Sequence, residues 1–520
     1  MIRKIGVGVE FSLLSSATYR AHEKFDSDPD FRQSASCCAP TIGGFPLPWR
    51  AMTDSLVKTR FAPSPTGQLH LGNVRTALFS WLLAQRTDGV FLLRIEDTDA
   101  ERSREQFTED LQADLHWLGL DWQEGPGVGG AHEPYAQSQR ASIYETKASE
   151  LEAQGKVYPC FCSAVELEMA RKAQRASGRP PRYPGTCAHL TAEQVADKRA
   201  QGLAPTWRFR IPAGCFIEFE DLVRGSQRFA SDDIGDFVIR RGDGSAAFFF
   251  SNAVDDGLMG VTHVLRGEDH LANTPRQILL LEALGLPVPH YGHIAMIVGA
   301  DGAPLSKRSG SLSVGELRES GYLPLGVLNY LARLGHHFVD EGFMTLQQLA
   351  QAFDIAHLGR SPARYDAAQL LHWQQQAITH TDDAALWDWM GAATHALVPG
   401  DSRGGFITLV RGNVRFPAEA RQWAEIVFSD ALAIEETARE QLVQAAPEYF
   451  HHALEVLQAV GAEYEAFIAA LKTRTGVKGK ALFMPLRAAL TGTLHGPELA
   501  GVMRLMPVGR IRNRLVACIE

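Results

Sequence analysis

Three groups of residues have types and spacings that could do chemistry. The first is His70-Leu71-Gly72-Asn73, which follows a turn holding Pro63, Pro65 and Gly67 and leads into a helix-like run, Val74 to Gln85. A strand, a loop and a helix start together gather free backbone N–H groups at the positive end of a helix dipole, which suits a phosphate. An imidazole there can hold nucleotide phosphates and stabilise charge during displacement at phosphorus. Gly72 has no Cβ, so a base or phosphate can approach the backbone. A capped surface helix is the plain alternative; the close Pro/Gly frame around His70 favours function. The second group is Leu305-Ser306-Lys307-Arg308-Ser309, inside a Gly/Pro/Ser-rich stretch, 297–310. A lysine on such a loop can swing onto a triphosphate; taken alone, the run reads as an ordinary basic loop. The third is Cys160-x-Cys162, then 24 residues, then Cys187-x-His189. Three thiolates and an imidazole would close a tetrahedral Zn²⁺ set, structural because no coordination position stays open. Packed free thiols are the alternative.

The elements that must position these groups read as α/β and then all-α. At 520 residues the chain should hold several domains, because single cores seldom grow past about 250–300 residues. A net charge of −9 is not that of a generic nucleic-acid coat, although local basic patches decide RNA binding. Seven cysteines in so long a chain argue against a disulfide framework. No apolar run reaches the length of about 18 that a membrane span needs. A strand near Leu56–Phe61 should feed the His70 loop, and Val90–Ile95 should be the next strand. Thr98-x-x-Glu101 has capping-box form, and Phe107, Leu111, Leu115 and Leu118 make one helical face that stops at Gly119. Strand–helix–strand order calls for a parallel sheet. The middle region turns β-rich, with strands expected at Trp207–Ile211, Cys215–Phe219, Phe237–Arg240 and Ala246–Phe250. The sheet should resume with Phe250–Val254 and Val261–Arg266. Beyond about 312 the pattern is helical, with Pro447 and Pro485 each opening a helix.

Longer ordered stretches carry a family resemblance. TRFAPSPTGQLHLGNVRTAL, LLRIEDTDAERS, WLGLDWQEGP, VTHVLRGEDHLANTPRQILL and KALFMPLRAALTG resemble the bacterial type of glutamyl-tRNA synthetase, a class I aminoacyl-tRNA synthetase family. In that resemblance the His70 and Lys307 groups stand for the two ATP-handling motifs usually written HIGH and KMSKS. It implies a Rossmann-like parallel-sheet catalytic domain with an α+β insertion, and a helical C-terminal anticodon-binding region. The corresponding segments are an extension at 1–52, the catalytic domain at 53–137 and 249–296, an acceptor-stem-binding insertion with the zinc knuckle at 138–248, a stem-contact region at 297–383, and the helical region at 384–520. A start of translation at Met52 is a further expectation.

Residue by residue, the resemblance implies His70 and Lys307 as catalytic groups. It implies His70, Gly72, Asn73, Glu268, Asp269, Ser306 and Lys307 at ATP, and Arg60, Ser64, Glu96, Phe248, Asn252 and Arg266 at glutamate. Arg266 would pair with the substrate's side-chain carboxylate, for which a guanidinium fork is suited and to which an amide is a poor match. Glu96 would hold the ammonium; a helix-start carboxylate is its plain alternative, as a polar turn is for Glu268 and Asp269. Arg75 and Arg94 read equally as site residues, a solvated helix face or a strand-end ion pair. Tyr183 resembles an alternative fourth zinc ligand of a shortened relative. Two positions depart from the pattern: Pro304 stands at the usual first lysine of KMSKS, and Phe248 where many members have tyrosine. The implied cofactors are structural Zn²⁺ and Mg²⁺ with ATP. The implied partners are tRNA-Glu, glutamate and ATP, acting on a cytoplasmic monomer. A non-discriminating enzyme that charges both tRNA-Glu and tRNA-Gln, a tRNA-Gln-directed enzyme and a non-catalytic tRNA-binding paralogue are the alternatives.

Overall fold

The computed structural model describes residues 56–98, 103–178, 180–305 and 312–519. The expected extension, Glu101, Ser306 and Lys307 lie outside the described residues.

Strand β1 (Lys58–Phe61) runs through the His70 loop into helix α1 (Leu71–Arg86), and β2 (Val90–Leu93) follows. Both strands are nearly continuous buried runs, as expected where helices cover both faces of a parallel sheet. Helix α2 (Glu105–Leu118) ends at Gly119 in the left-handed conformation, φ 74°. Its start differs from expectation. Arg104 is the N-cap and makes no side-chain cap bond. The Arg104 N–H donates to the Pro65 carbonyl at 3.3 Å; the Thr98-x-x-Glu101 box reaches beyond the described residues.

An inserted region follows: α3 (Ala141–Ala153), β3 (Val157–Cys160), α4 (Ala164–Ala176), α5 (Ala192–Ala200), β4 (Thr206–Phe209), the hairpin β5 (Phe216–Asp221) and β6 (Gly225–Ala230), a single turn α6 (Ser231–Ile234), and β7 (Phe237–Arg240). β3, β4 and β7 form an antiparallel sheet. Helix α7 (Phe248–Leu258) then replaces the two strands expected at Ala246–Phe250 and Phe250–Val254. Ala246 makes only an isolated bridge to Arg240. The reason is visible in the burial. Phe250, Ala253, Val254 and Gly257 recur at helical spacing, but Ser251, Asn252, Asp255 and Asp256 on the other sides are buried as well, so no polar face marks the period. At Gly257 an added Cβ would come within 2.9 Å of Leu281 and Leu286; the glycine lets α7 lie against α8 (Thr274–Ala283).

The main sheet resumes with β8 (His263–Gly267) and closes with β9 (His290–Ile294). Its order is β2-β1-β8-β9, parallel throughout, with Thr59 opposite both Phe91 and His263. β10 (Ile297–Val298) later pairs with β11 (Ala363–Arg364). Between them stand α9 (Val314–Glu319), α10 (Pro324–Arg333) and α11 (Leu346–Ala352), and α12 (Ala367–His380) follows.

One apolar cluster fills the space between α1, the sheet and α10–α12 and reaches Leu370 and Trp373. A second begins at Ile378 and contains the helical remainder through Leu515. Helix α12 therefore contributes to both. In the second, Pro485 lies inside the helix Lys480–Thr491 instead of opening it. Gly479, at φ 59°, supplies the turn one stage earlier. No helix among the described residues is long and apolar enough to cross a membrane.

Candidate functional site

The loop between β1 and α1 ends at the His70 N-cap. The His70 Nδ1 accepts from the Asn73 N–H at 3.4 Å, and the Asn73 Oδ1 accepts from the His70 N–H at 3.5 Å. The helix cap is therefore present, and it leaves the far ring nitrogen uncommitted among the described residues. With Nδ1 used as an acceptor, the neutral ring carries its proton on Nε2, a donor directed away from the cap. Surrounding protein lowers the imidazole pKa by desolvation, although the residue itself is exposed. Gly72 is explained sterically: a Cβ there would sit 3.1 Å from the His70 ring.

The chain before 306–311 is tied to β10, and the chain after it is tied to this corner. Before it, the Leu305 N–H donates to the Ile297 carbonyl at 3.0 Å and Pro304 bridges Val298. After it, Ser313 bridges His70, and the Val314 N–H donates to the Leu69 carbonyl at 3.0 Å. Ser313 then caps α9.

Beneath the His70 corner lies a buried polar network. Arg60 on β1 donates through Nε to the Asp256 Oδ1 at 3.3 Å and through a terminal nitrogen to the Leu265 carbonyl at 3.3 Å. Arg94, fully buried after β2, reaches the same Asp256 oxygen at 2.7 Å and the Glu96 Oε1 at 3.0 Å. The strand-end ion-pair reading is the one found for Arg94. Burial pushes the Asp256 carboxyl pKa up, but Arg60 and Arg94 outweigh it and hold it below its ordinary value. Glu96 goes the other way: burial dominates and raises it against the pull of Arg94 and Arg60. The Glu96 Oε1 also accepts from the Asn252 Nδ2 at 2.5 Å, and the Asn252 Oδ1 accepts from the Gln277 Nε2 at 2.5 Å. The second Glu96 oxygen has no partner among the described residues.

Arg266, at the end of β8, is 6 % exposed. Its Nε donates to the His293 Nε2 at 3.1 Å and a terminal nitrogen donates to the Thr274 Oγ1 at 2.8 Å. Both partners are neutral groups, and no carboxylate of the described residues forms an ion pair with it. Burial lowers its pKa to about 10, which still leaves it charged near neutrality.

The other expected residues divide. Phe248 opens α7 with its ring 5.9 Å from that of His270. Ser64 and Asp269 are exposed. Glu268 is already committed: its Oε1 accepts from the Met296 N–H at 2.8 Å and its Oε2 pairs with Arg224. Arg75 is buried against the carbonyls of Leu334 and Ala295, so it is no solvated helix face. Sequence reasoning missed Asp256, Asp255, Thr274, His293 and Asp221. Two adjacent aspartates inside the apolar run Phe248–Leu258 were the available signal for the first two.

In the insertion, the Sγ atoms of Cys160, Cys162 and Cys187 lie within 4.8 Å of one another. Cys162 and Cys187 are 3.6 Å apart. The fourth corner is filled by the Tyr183 hydroxyl, 3.3 Å from the Cys160 Sγ and 3.6 Å from the Cys162 Sγ. His189 is exposed and is not brought into the cluster. Zinc bonds of about 2.3 Å to sulfur and 2.0 Å to oxygen give tetrahedral edges of about 3.8 and 3.5 Å, so the donor set present fits that ion. The Arg208 guanidinium lies 3.8 Å over the Tyr183 ring, where it offsets anionic ligands. Burial raises the Cys162 thiol pKa to about 11. Cys160 is brought down to about 7: burial opposes this, while hydrogen bonds from Tyr183 and Arg208 prevail.

In the C-terminal helices, Tyr464, Lys472, Lys478 and Phe483 border an open groove of about 650 Å³. Arg474 pairs with Glu455 at 2.7 Å, and Arg487 donates to the Pro497 carbonyl at 2.9 Å.

Comparison with known proteins places these features in company. Residues 56–372 match the family described as tRNA synthetases class I (E and Q), catalytic domain, and 367–519 match the anticodon binding domain. The two matches overlap on α12. The chain is similar to glutamate–tRNA ligase 2 of Nitrosococcus oceani, at 58 % identity over 90 % of this chain and 99 % of the relative. It is similar to glutamate–tRNA ligase 1 of Halorhodospira halophila, at 56 % identity over 89 % of this chain and 97 % of the relative. Among solved structures, a glutamate tRNA ligase from Elizabethkingia meningosepticum in complex with its amino acid superposes with a TM-score of 0.81. That match has 27 % identity and covers 89 % of this chain and 99 % of the other.

Proposed function

The chain belongs to the class I tRNA synthetases for glutamate and glutamine, in their glutamate–tRNA ligase branch, and from that membership we propose that it attaches L-glutamate to the 3′ end of tRNA-Glu. A carboxylate oxygen of glutamate attacks the α-phosphorus of ATP. The bond to the β-phosphate oxygen breaks, giving glutamyl-adenylate and pyrophosphate. A hydroxyl of the terminal adenosine then attacks the activated carbonyl and releases AMP. No covalent enzyme intermediate is required; positioning and charge stabilisation carry the reaction.

One observation carries the amino-acid assignment. Among the described residues Arg266 is a buried cation whose hydrogen-bond partners are neutral, with Asp256 and Glu96 acting on it only at longer range. A buried charge without a counter-charge is costly, and a ligand carboxylate supplies one bidentately, whereas a side-chain amide would not. The free oxygen of Glu96 takes the ammonium, and Arg60 lies beside both. Asn252 and Phe248 line the same pocket from α7. The His70 Nε2–H and the Gly72 backbone receive the phosphates, Asn73 orients the imidazole through its own N–H, and Ser306 and Lys307 are assigned to the same phosphates. Asp269 stays at the adenosine side; Glu268 acts there indirectly, by holding Arg224 and the turn into β10. Mg²⁺ would accompany ATP and supply positive charge at its phosphates.

Zinc is held by Cys160, Cys162 and Cys187, with Tyr183 in place of His189 as the fourth donor. It braces the segment 138–248 that grips the acceptor end of the tRNA. The region 297–383 contacts the stem, and the helical region 384–520 reads the anticodon. The protein works in the cytoplasm as a monomer.

The test is glutamylation of purified tRNA-Glu and tRNA-Gln side by side, with His70→Ala and Lys307→Ala. Charging of tRNA-Glu, lost by about 10²-fold or more in both variants, is expected. Charging confined to tRNA-Gln would overturn the acceptor. Tight tRNA binding without any charging would overturn the activity.

A further inference from the structure

Arg266 does not stand alone. The His293 Nε2 that receives its Nε–H also lies 3.1 Å from the Thr274 hydroxyl, while the His293 Nδ1 faces the Asp221 Oδ2 at 2.5 Å. Two donors at Nε2 and a carboxylate at Nδ1 fix one tautomer: neutral imidazole, proton on Nδ1. Asp221 is fixed in turn. Its other oxygen accepts from the N–H groups of Val223 at 3.0 Å, Arg224 at 2.7 Å and His293 at 3.2 Å. It stands at the turn of the inserted β5–β6 hairpin, which docks on β9 through the Leu222 N–H to the Tyr291 carbonyl at 2.8 Å. His293 and Asp221 are both fully buried at the side chain.

We propose that Asp221 and His293 are positioning residues that orient Arg266 through a neutral imidazole, so that the guanidinium is fixed in place yet keeps its charge for the substrate carboxylate. This rests on the reading that Arg266 holds the glutamate side chain. A carboxylate directly against Arg266 would orient it equally well, but it would neutralise the cation and weaken the pocket's preference for an acid over an amide. The interposed ring separates orientation from neutralisation. The same chain of bonds places the hairpin turn of the insertion in control of the amino-acid pocket.

The experiment is steady-state aminoacylation by the full chain, with glutamate, glutamine and ATP varied in turn, for Asp221→Asn, His293→Asp, His293→Gln and Arg266→Met. In Asp221→Asn the amide N–H faces Nδ1 and drives the proton to Nε2, donor against donor. The KM for glutamate should rise about tenfold while the KM for ATP holds. In His293→Asp the ratio of kcat/KM for glutamate over glutamine should fall by about tenfold or more, and His293→Gln, which restores a neutral acceptor, should recover most of it. A merely structural role would move kcat and both KM values together and would not be recovered by glutamine at 293. If Arg266→Met abolishes glutamate selectivity while the 221 and 293 variants leave it within twofold, the relay is wrong and the role of Arg266 stands. If Arg266→Met itself leaves glutamate selectivity intact, the reading of Arg266 fails and the relay with it.

Discussion

Asp256→Asn should be among the most damaging single changes to the catalytic core. The carboxylate is 0 % exposed, and one oxygen serves two arginines, Arg94 at 2.7 Å and Arg60 at 3.3 Å. At an effective dielectric near 20, opposite charges about 4 Å apart attract by roughly 4 kcal/mol. The loss is not simply doubled, because the two cations are unequally supported. Arg94 keeps Glu96 at 3.0 Å and Asp255 at 3.9 Å. Among the described residues Arg60 keeps one direct partner, the Leu265 carbonyl, and the weaker pull of Glu96. The cost therefore falls on Arg60, and removing one partner of a buried pair typically costs about 3–5 kcal/mol. Hydrogen exchange read by mass spectrometry measures this region by region. Amides of β1, β2 and β8 should lose protection by that amount, while those of the helix Lys480–Thr491, in the second core, should not change. The KM for glutamate should rise as Arg60 loses its hold. A loss below about 1 kcal/mol in the β-strand amides would refute the claim that this ion cluster organises the site, and equal loss in both cores would refute their independence.

Two further outcomes are expected. After exhaustive dialysis against a chelator, zinc content should fall to background in Cys187→Ser, persist in His189→Ala, and be released at least ~10-fold faster in Tyr183→Phe; retention in Tyr183→Phe with loss in His189→Ala would restore histidine as the ligand. His336 is 5 % exposed and burial lowers its pKa to about 4. The unfolded chain, with an imidazole near 6.5, takes up its proton first as pH falls. The stability owed to neutral His336 is complete above about pH 6.5 and is lost towards about pH 4, by up to roughly 3 kcal/mol. Thermal melts of His336→Phe should show a shallower acid decline than the unaltered protein, and identical declines would refute the assignment.

Local continuity decided what could be read without coordinates. The corner at Arg60–Asn73 was legible because strand, turn and cap are contiguous, and the glycine at 72 is needed by the histidine two residues before it. The cysteine pairs were legible for the same reason. Spacing offered His189 as a fourth donor because it cannot tell whether a side chain turns inward; His189 is exposed, and Tyr183 turns inward four residues from Cys187. Helix α7 was hidden because buried charges occupy the side that would normally be polar. The arginine network and the Asp221–His293 pair join positions 162 and 72 residues apart. Each is a short-range electrostatic fact that no window along the chain contains. Pro485 illustrates a preference overruled: the first position of a helix suits proline, but Gly479 and the packing of Leu482 set the start earlier.

Helix α12 belongs to both apolar clusters, with Leu370 and Trp373 in one and Ile378 in the other. Its hydrogen-bonded backbone is continuous between them. This has a consequence for the exchange of parts between related enzymes. A new C-terminal module cannot be joined at the boundary between the clusters, because that boundary falls inside a turn of helix. A viable junction must come after His380, with the module supplying a socket for Ile378, or before Ala367, with the module bringing its own tryptophan for the first core. Recombination within 373–378 would join two half-helices, each fitted to only one of the two cores. The recognition module is thus replaceable only together with the splint that carries it.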